Sequence, residues 1–301
     1  MPNLYKKPFI IANWKMNHGF ESTDVWLDKF FRAFYSNREK FDNLTFVICP
    51  PTILLDYIDS EIMDEGLEQL EDIIAKRNQT LSRLTDEEID KILIEEKIIK
   101  IGGQDCHYEL SGSFTGNVSL LNLKEVGCEF VIIGHSERRE FNNEINKIIA
   151  KKLNLAISQK FIPILCIGEN LAVRNKKEHV DFVKEQLKEA LSMLDSKQSF
   201  ELLIAYEPIW SIGSGNVPTI AEIKEISDAI TATINELKSQ NKITNNANVS
   251  VLYGGSVNSK NSASILAIDN IDGLLIGKAS LEASEFVEIA LSYQASAKQN
   301  N

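Results

Sequence analysis

The sequence predicts a single α/β domain, residues 1–301, folded as a closed (β/α)8 barrel. Three observations lead to this fold class: eight short apolar runs, amphipathic stretches between them, and a length of 301 residues that suits one barrel. The runs are continuously apolar rather than alternating, which is typical of parallel strands that are buried on both faces. A doubly wound open sheet is the main alternative.

Each apolar run is bounded by turn residues and is predicted to form one strand. In chain order the runs are FIIAN (9–13), TFVIC (45–49), IIKIGG (98–103), FVIIG (130–134), IPILCIG (162–168), LLIAY (202–206), VSVLYGG (249–255) and GLLIG (273–277).

The stretches between the strands carry apolar residues at helical spacing. The first such helix is predicted to start at Ser22, Thr23 and Asp24, which are typical capping residues. The apolar stripes are Leu27, Phe30, Phe31 and Phe34; then Ile145, Ile148 and Ile149; then Val180, Val183, Leu187 and Leu191; and finally Ile223, Ile226 and Ile230.

Residues 61–97 interrupt the alternation as an acidic, helix-prone insertion between strands 2 and 3. The segment holds twelve acidic and five basic residues, and so seven of the eleven net negative charges of the chain. Thr85 and Glu88 have the spacing of a capping box, and two apolar stripes predict two helices (Leu67, Leu70, Ile73 and Ile74; Ile89, Ile92 and Leu93). The segment is interpreted as an extended helical crossover with a solvated outer face, and the alternative is an arm with a partner-binding or regulatory role.

The composition limits the possible partners and the compartment. A formal net charge of −11 argues against general binding to nucleic acid or to anionic membranes, which need a basic face. No apolar run approaches membrane-spanning length and no targeting segment is evident, so a cytoplasmic protein is expected. Four widely spaced cysteines without metal-ligand spacing are expected to be reduced and mostly buried (Cys49, Cys106, Cys128 and Cys166).

Polar groups follow several of the predicted strands. Asn13 ends strand 1 and Lys15 follows it, His135 follows strand 4, and Glu207 follows strand 6, while glycine-rich turns follow strands 7 and 8. Because the carboxyl ends of the strands surround one mouth of a parallel barrel, we expect these groups to face a single cavity.

The segments that carry these groups resemble, in the same order, the signature segments of the triosephosphate isomerase family. They are NWKMN, GHSERR, AYEPIWSIGSG, YGGSV and LIGKASL, and the resemblance extends from about Phe9 to Leu281 except over residues 61–97. It implies a TIM barrel that interconverts dihydroxyacetone phosphate and D-glyceraldehyde 3-phosphate through an enediolate, as part of glycolysis and gluconeogenesis. It also implies that no metal and no organic cofactor takes part.

The resemblance assigns a role to each polar group. Glu207 is the expected base that takes a proton from the carbon next to the carbonyl. His135, at a helix start whose dipole disfavours its protonation, is expected to be a neutral hydrogen-bond donor. Lys15 supplies positive charge to the oxyanion and the phosphate, Asn13 donates from its amide, and Glu137 is expected to pair with Lys15 or to orient it.

The phosphate is expected to bind backbone donors at Gly213, Ser256, Gly277 and Lys278, because these positions match the phosphate grip of the family. Residues 208–218 resemble the mobile lid of the family, which would exclude water from the enediolate.

Three positions depart from the usual pattern of the family. Lys278 replaces a second glycine, so its backbone must be right-handed or extended unless the phosphate grip is altered. Asn216 replaces a lid lysine, and Asn117 replaces a common glutamate in the segment Gly112–Asn117, which resembles the interdigitating dimer loop. A homodimer is therefore expected from the resemblance.

Two other functions are compatible with parts of the sequence. The first is another phosphate-binding barrel enzyme with different catalytic groups, although Asn13, Lys15, His135 and Glu207 together argue against it. The second is a non-catalytic or dual-role relative whose acidic insertion binds a partner.

Overall fold

Eight parallel strands close into a barrel, which confirms the predicted fold class. The computed structural model describes residues 5–211 and 216–297, the last four of these by their backbone alone. The strands are β1 (Phe9–Asn13), β2 (Thr45–Cys49), β3 (Lys100–Gly103), β4 (Phe130–Ile133), β5 (Ile162–Ile167), β6 (Glu201–Tyr206), β7 (Asn248–Tyr253) and β8 (Gly273–Ile276). Each strand pairs with the next, and β1 pairs back with β8 from Phe9 opposite Gly273 to Ala12 opposite Ile276, which excludes an open sheet.

The helices surround the strands. They are α1 (Phe20–Ser36), α2 (Arg38–Phe41), α3 (Leu55–Glu68), α4 (Leu70–Lys76), α5 (Asp86–Glu95), α6 (Leu120–Glu125), α7 (Ser136–Phe141), α8 (Asn146–Ser158), α9 (Leu171–Asn175), α10 (His179–Leu191), α11 (Ile220–Ser239), α12 (Ser262–Leu266) and α13 (Ala283–Ala297). Single turns of 3₁₀ helix cover Thr52–Leu54, Leu81–Arg83, Ile209–Ser211 and Lys278–Leu281.

The strands are buried on both faces, which explains their continuous apolar runs. In β1, Phe9 and Ile11 belong to the cluster that fills the barrel, together with Phe130, Ile164 and other strand residues. Ile10, in contrast, belongs to the outer cluster between strands and helices. Two packed layers therefore fix the directions of the strands and the positions of their ends.

Two sequence predictions were wrong in detail. Helix α1 begins at Phe20 rather than at Ser22, and the Ser22 hydroxyl accepts a hydrogen bond from the Gly19 backbone N–H at 3.0 Å. Ser22 therefore closes the first turn from inside the helix instead of starting it. Ile145 is 60% exposed, because it is the residue before α8, and the buried face of that helix begins at Ile149.

The acidic insertion lies on the side of the barrel away from the carboxyl ends of the strands. It contains the end of α3, then α4 and α5, and the Thr85–Glu88 capping box is formed. Helix α5 leads into the amino end of β3, where the Lys100 ammonium donates to the Ile94 carbonyl at 2.9 Å. Four residues of the predicted stripes are buried (Ile73, Ile74, Ile92 and Leu93), whereas Leu67 is 50% exposed.

All four cysteines are free and buried, as predicted. Across residues 5–211 and 216–297, every helix is too short or too polar to cross a membrane.

Candidate active site

The carboxyl ends of the strands surround a cavity of about 690 Å³. It is lined by seven of the residues predicted for the site, which follow strands β1, β4, β6, β7 and β8 (Asn13, Lys15, His135, Glu207, Ser256, Gly277 and Lys278). The eighth, Gly213, lies outside the described residues, as do Ile212 and Gly215 of the expected lid. A second cavity, of about 550 Å³, lies beside the start of α1 and contains none of these residues.

Lys15 is held by polar contacts on both sides of its backbone. Its φ of 53° is unusual for a residue with a side chain. Its N–H donates to Asn13 Oδ1 at 3.1 Å, and its carbonyl accepts from Gln104 Nε2 at 2.7 Å. The same Gln104 amide group donates to the Cys49 carbonyl at 2.9 Å, so it links the ends of β1 and β2. These bonds offset the cost of the left-handed backbone and fix the direction in which the lysine leaves the strand.

The Lys15 ammonium is paired with Glu137. Its Nζ lies 2.6 Å from Glu137 Oε1, and both side chains are partly exposed. Of the two expected arrangements, a direct ion pair is therefore the one present. A substrate anion that approaches Lys15 must compete with this carboxylate.

His135 is the capping residue before α7. Its ring is buried, its Nδ1 accepts the Glu137 backbone N–H at 3.3 Å, and its Nε2 lies 2.9 Å from Glu207 Oε1. Burial disfavours the charged ring, whereas the Glu207 carboxylate draws the pKa of His135 above its usual value. A proton on Nδ1 would remove the bond from Glu137, so among the two neutral forms of the ring the geometry favours the one with its proton on Nε2.

Glu207 is 2% exposed and both of its carboxylate oxygens are engaged. Oε2 accepts the Ser136 N–H at 2.9 Å, and Oε1 faces His135 Nε2. Burial alone raises the pKa of Glu207, but the His135 ring and the Ser136 N–H more than offset it, so the pKa is lowered overall.

Two residues that the sequence analysis missed support the end of β6. Glu169 follows β5 and is fully buried, and it accepts the Trp210 Nε1–H at 2.8 Å and the Tyr206 hydroxyl at 3.1 Å. Arg174 stacks over the Trp210 ring at 5.2 Å from its centroid. The position of Glu169 directly after a strand was the available signal, since the same rule pointed to Glu207.

The turns after β7 and β8 form the other wall of the cavity. A Cβ added at Gly255 would lie 2.3 Å from the Tyr253 hydroxyl, so only glycine allows this close approach. The backbone of Lys278 is not left-handed, because this residue begins a right-handed 3₁₀ turn, and its side chain therefore causes no strain.

Neither of the glycine-rich turns after β7 and β8 opens directly into an α-helix. After β7 the next helix, α12, begins only at Ser262, and after β8 there is a single 3₁₀ turn before α13. Donors from a long helix N-terminus are therefore not part of this wall.

The Gly112–Asn117 segment projects between β3 and α6. Its ends are shaped by glycines with positive φ, 139° at Gly112 and 83° at Gly116. Phe114 is 39% exposed and its ring centroid lies 4.0 Å from that of His107. Met16, three residues after the end of β1, is 95% exposed.

Comparison with known proteins agrees with this architecture. A sequence profile of the family described as triosephosphate isomerase matches residues 8–78 and 68–293. The triosephosphate isomerase of Amoebophilus asiaticus is 41% identical over 206 residues, which are 68% of this chain and 80% of that protein. The triosephosphate isomerase of Rhodococcus jostii is 36% identical over 287 residues, which are 95% of this chain and 97% of that protein.

A solved structure shows the same fold over nearly the whole chain. The crystal structure of triosephosphate isomerase from Bartonella henselae has a TM-score of 0.70 at 29% identity, and the match covers 96% of this chain and 99% of that chain. With matches that run from the first strand to the last helix, the chain belongs to the triosephosphate isomerase family.

Proposed function

We propose that Glu207, His135 and Lys15 carry out the reaction of this family in this chain. The chain is an isomerase that interconverts dihydroxyacetone phosphate and D-glyceraldehyde 3-phosphate by proton transfer through an enediolate. The observation that carries the proposal is the convergence of the three side chains on one cavity at the carboxyl ends of β1, β4 and β6.

Glu207 is the proposed base. It takes the proton from the carbon next to the carbonyl, and the C–H electron pair becomes the carbon–carbon double bond of the enediolate. Both of its oxygens are engaged by Ser136 and His135 in this structure. At least one of these bonds has to break for the carboxylate to reach carbon, so the position of Glu207 must change when substrate enters.

His135 is the proposed donor to the substrate oxygens. With Nδ1 held by the Glu137 N–H, the Nε2–H is free to turn from Glu207 to an oxygen that gains negative charge. A neutral imidazole is better matched in pKa to an enediol than an imidazolium is, so it can give and take back the proton between the two oxygens.

Lys15 and Asn13 are the proposed electrostatic partners of the oxyanion. The Asn13 Oδ1 is occupied by the Lys15 N–H, which leaves the amide nitrogen as the group available to the cavity. The Lys15 ammonium provides a full positive charge in a partly dry site, where it acts more strongly than in water.

The phosphate is proposed to bind backbone N–H groups at Gly213, Ser256, Gly277 and Lys278. The close approach of the chain at Gly255 and the right-handed turn at Lys278 support this for the walls after β7 and β8. Closure of residues 208–218 over the phosphate belongs to the same proposal, and Gly213 lies outside the described residues.

A binding role for the acidic insertion has no observation in its favour. The insertion meets the amino end of β3, at the opposite end of the barrel from the cavity. A second class of function is therefore not proposed.

A homodimer that uses the Gly112–Asn117 loop is proposed, since the family is typically dimeric. The exposed Phe114 of that loop and the exposed Met16 beside Lys15 support a contact that reaches the catalytic lysine. Sedimentation velocity should give a mass of two chains, and a fully active species of one chain would contradict the proposal.

A cytoplasmic location is also proposed, because four buried free thiols suit a reducing compartment.

The central test is an assay of the purified chain with D-glyceraldehyde 3-phosphate, coupled to reduction of dihydroxyacetone phosphate by an NADH-dependent dehydrogenase. Turnover without added metal is the expected result. A properly folded chain without activity above the uncatalysed rate would overturn the proposed function.

A further inference from the structure

We propose that the side-chain ammonium of Lys278 is a second cationic contact for the phosphate dianion of the substrate. This contact is distinct from the backbone N–H of the same residue and sets the affinity for the phosphate. The inference rests on the proposed function, because the cavity beside Lys278 is the proposed substrate site.

Lys278 lies at the cavity and close to Lys15. Lys278 follows Gly277 at the end of β8 and lines the cavity with an exposed side chain. A Cβ added at Gly277 would lie 3.5 Å from Lys15 Cε, so this turn runs beside the catalytic lysine. The ammonium of Lys278 therefore starts from a backbone position next to the anion-binding end of the cavity.

The residues that line the cavity carry a net negative formal charge. Its lining contains two lysines, Lys15 and Lys278, and three glutamates, Glu207, Glu282 and Glu285. With His135 neutral, the formal charge of this lining is −1, and it would be −2 without Lys278. A phosphate that carries two negative charges has to enter this field.

Within the described residues, the charge of Lys278 is not neutralised by an ion pair with a carboxylate. The Lys15 ammonium is 2.6 Å from Glu137, whereas among the described residues no carboxylate lies within ion-pair distance of Lys278. Glu285 instead accepts the Ser259 N–H at 2.7 Å. Lys278 is thus the lining cation, within the described part of the chain, whose charge is available to an incoming anion.

The test compares Lys278→Met and Lys278→Arg with the parent enzyme and with a matched control. Lys260→Met removes the same charge from an exposed position on the turn after β7, and that position does not line the cavity. KM is measured for D-glyceraldehyde 3-phosphate, and the inhibition constant is measured for inorganic phosphate. D-Glyceraldehyde, which lacks the phosphate, serves as the uncharged substrate.

The expected result follows from the loss of one partly exposed charge next to a dianion. Lys278→Met should raise KM and the inhibition constant by ~3- to 10-fold, with kcat within about twofold. Its kcat/KM for D-glyceraldehyde should be unchanged, Lys278→Arg should retain parent values, and Lys260→Met should change both constants by less than about twofold. Raising the salt to about 1 M should remove most of the difference, because screening then acts within about 3 Å.

The inference is overturned if Lys278→Met leaves the inhibition constant for phosphate unchanged. It is also overturned if this variant lowers kcat/KM equally for the charged and the uncharged substrate, because that would indicate a structural effect. In both cases an active parent enzyme leaves the proposed function intact. An inactive parent that still binds phosphate through Lys278 would instead remove the isomerase assignment and keep the anion site.

Discussion

Glu207→Gln removes the proposed base while it leaves the shape of the site nearly unchanged. Glutamine has the shape of the buried glutamate but cannot accept a proton from carbon. Its oxygen can still accept the Ser136 N–H, which is now 2.9 Å from Glu207 Oε2. Its NH₂ group would then face the Nε2–H of His135, which is 2.9 Å from the other carboxylate oxygen.

The substitution is expected to affect both kcat and the stability of the fold. The loss of a general base lowers kcat by at least ~10²-fold, equivalent to about 2.7 kcal/mol in the barrier. The contact between two donors costs about 1–3 kcal/mol of stability, unless the ring changes tautomer and gives up the bond from Glu137. That cost is too small to unfold a domain of ordinary stability.

The assay is kcat for D-glyceraldehyde 3-phosphate with the unfolding free energy measured in parallel. Glu201→Gln is the matched control, since it makes the same change on the same strand at the opposite end of the barrel. We expect normal kcat in the control and a loss of at least ~10²-fold in Glu207→Gln. A folded Glu207→Gln enzyme with kcat within tenfold of the parent would refute the assignment of the base.

Four further predictions concern pH, protonation, the supporting structure and the acidic insertion. The lowered pKa of Glu207 keeps the carboxylate ionised as the pH falls, so this carboxyl group itself, followed by ¹³C NMR of the labelled enzyme, should titrate below the usual carboxyl pKa of about 4.3; a titration near pH 6 would contradict this. In ¹⁵N NMR spectra, the uncharged form of His135 should carry its proton on Nε2, because Nδ1 accepts the Glu137 N–H; an uncharged ring with its proton on Nδ1 would exclude its proposed role. Lys152→Met should lower the unfolding free energy in urea by about 3 kcal/mol, because it leaves the buried Glu144 carboxylate, now 2.6 Å from Lys152 Nζ, without that partner; a change below about 1 kcal/mol would mean that the remaining contacts suffice. Glu87→Lys, on the exposed face of the insertion, should leave kcat/KM within a few fold, and a larger loss would couple the insertion to catalysis.

The barrel was predictable from sequence because each strand is buried on both faces and each mouth-facing group lies at the end of a strand or within two residues after it. Asn13, Lys15, His135 and Glu207 obey this rule, and all four line the same cavity. The strand boundaries differ by only a few residues, as at β3, which begins at Lys100 rather than at Ile98. Burial on two faces leaves a signal that does not depend on distant contacts.

The remaining features depend on contacts that the sequence does not encode locally. Gln104 directly follows β3, so the same rule places it at the mouth, but only the fold shows that it donates to the carbonyl of Lys15. The helical spacing around Ile145 was correct, but only the path of the chain from α7 to α8 decides that this residue is exposed. The lowered pKa of Glu207 arises from two partners on the α7 turn, so burial alone predicts the wrong direction.

The position of the acidic insertion has a practical consequence. Asn78 to Thr80, between α4 and the following 3₁₀ turn, are exposed, and the segment rejoins the barrel where β3 starts. Extra residues at this point are added at the amino ends of the strands, so they do not displace the active-site residues at the carboxyl ends. An affinity tag or a fluorescent reporter inserted between Asn78 and Thr80 should therefore be carried by a working enzyme.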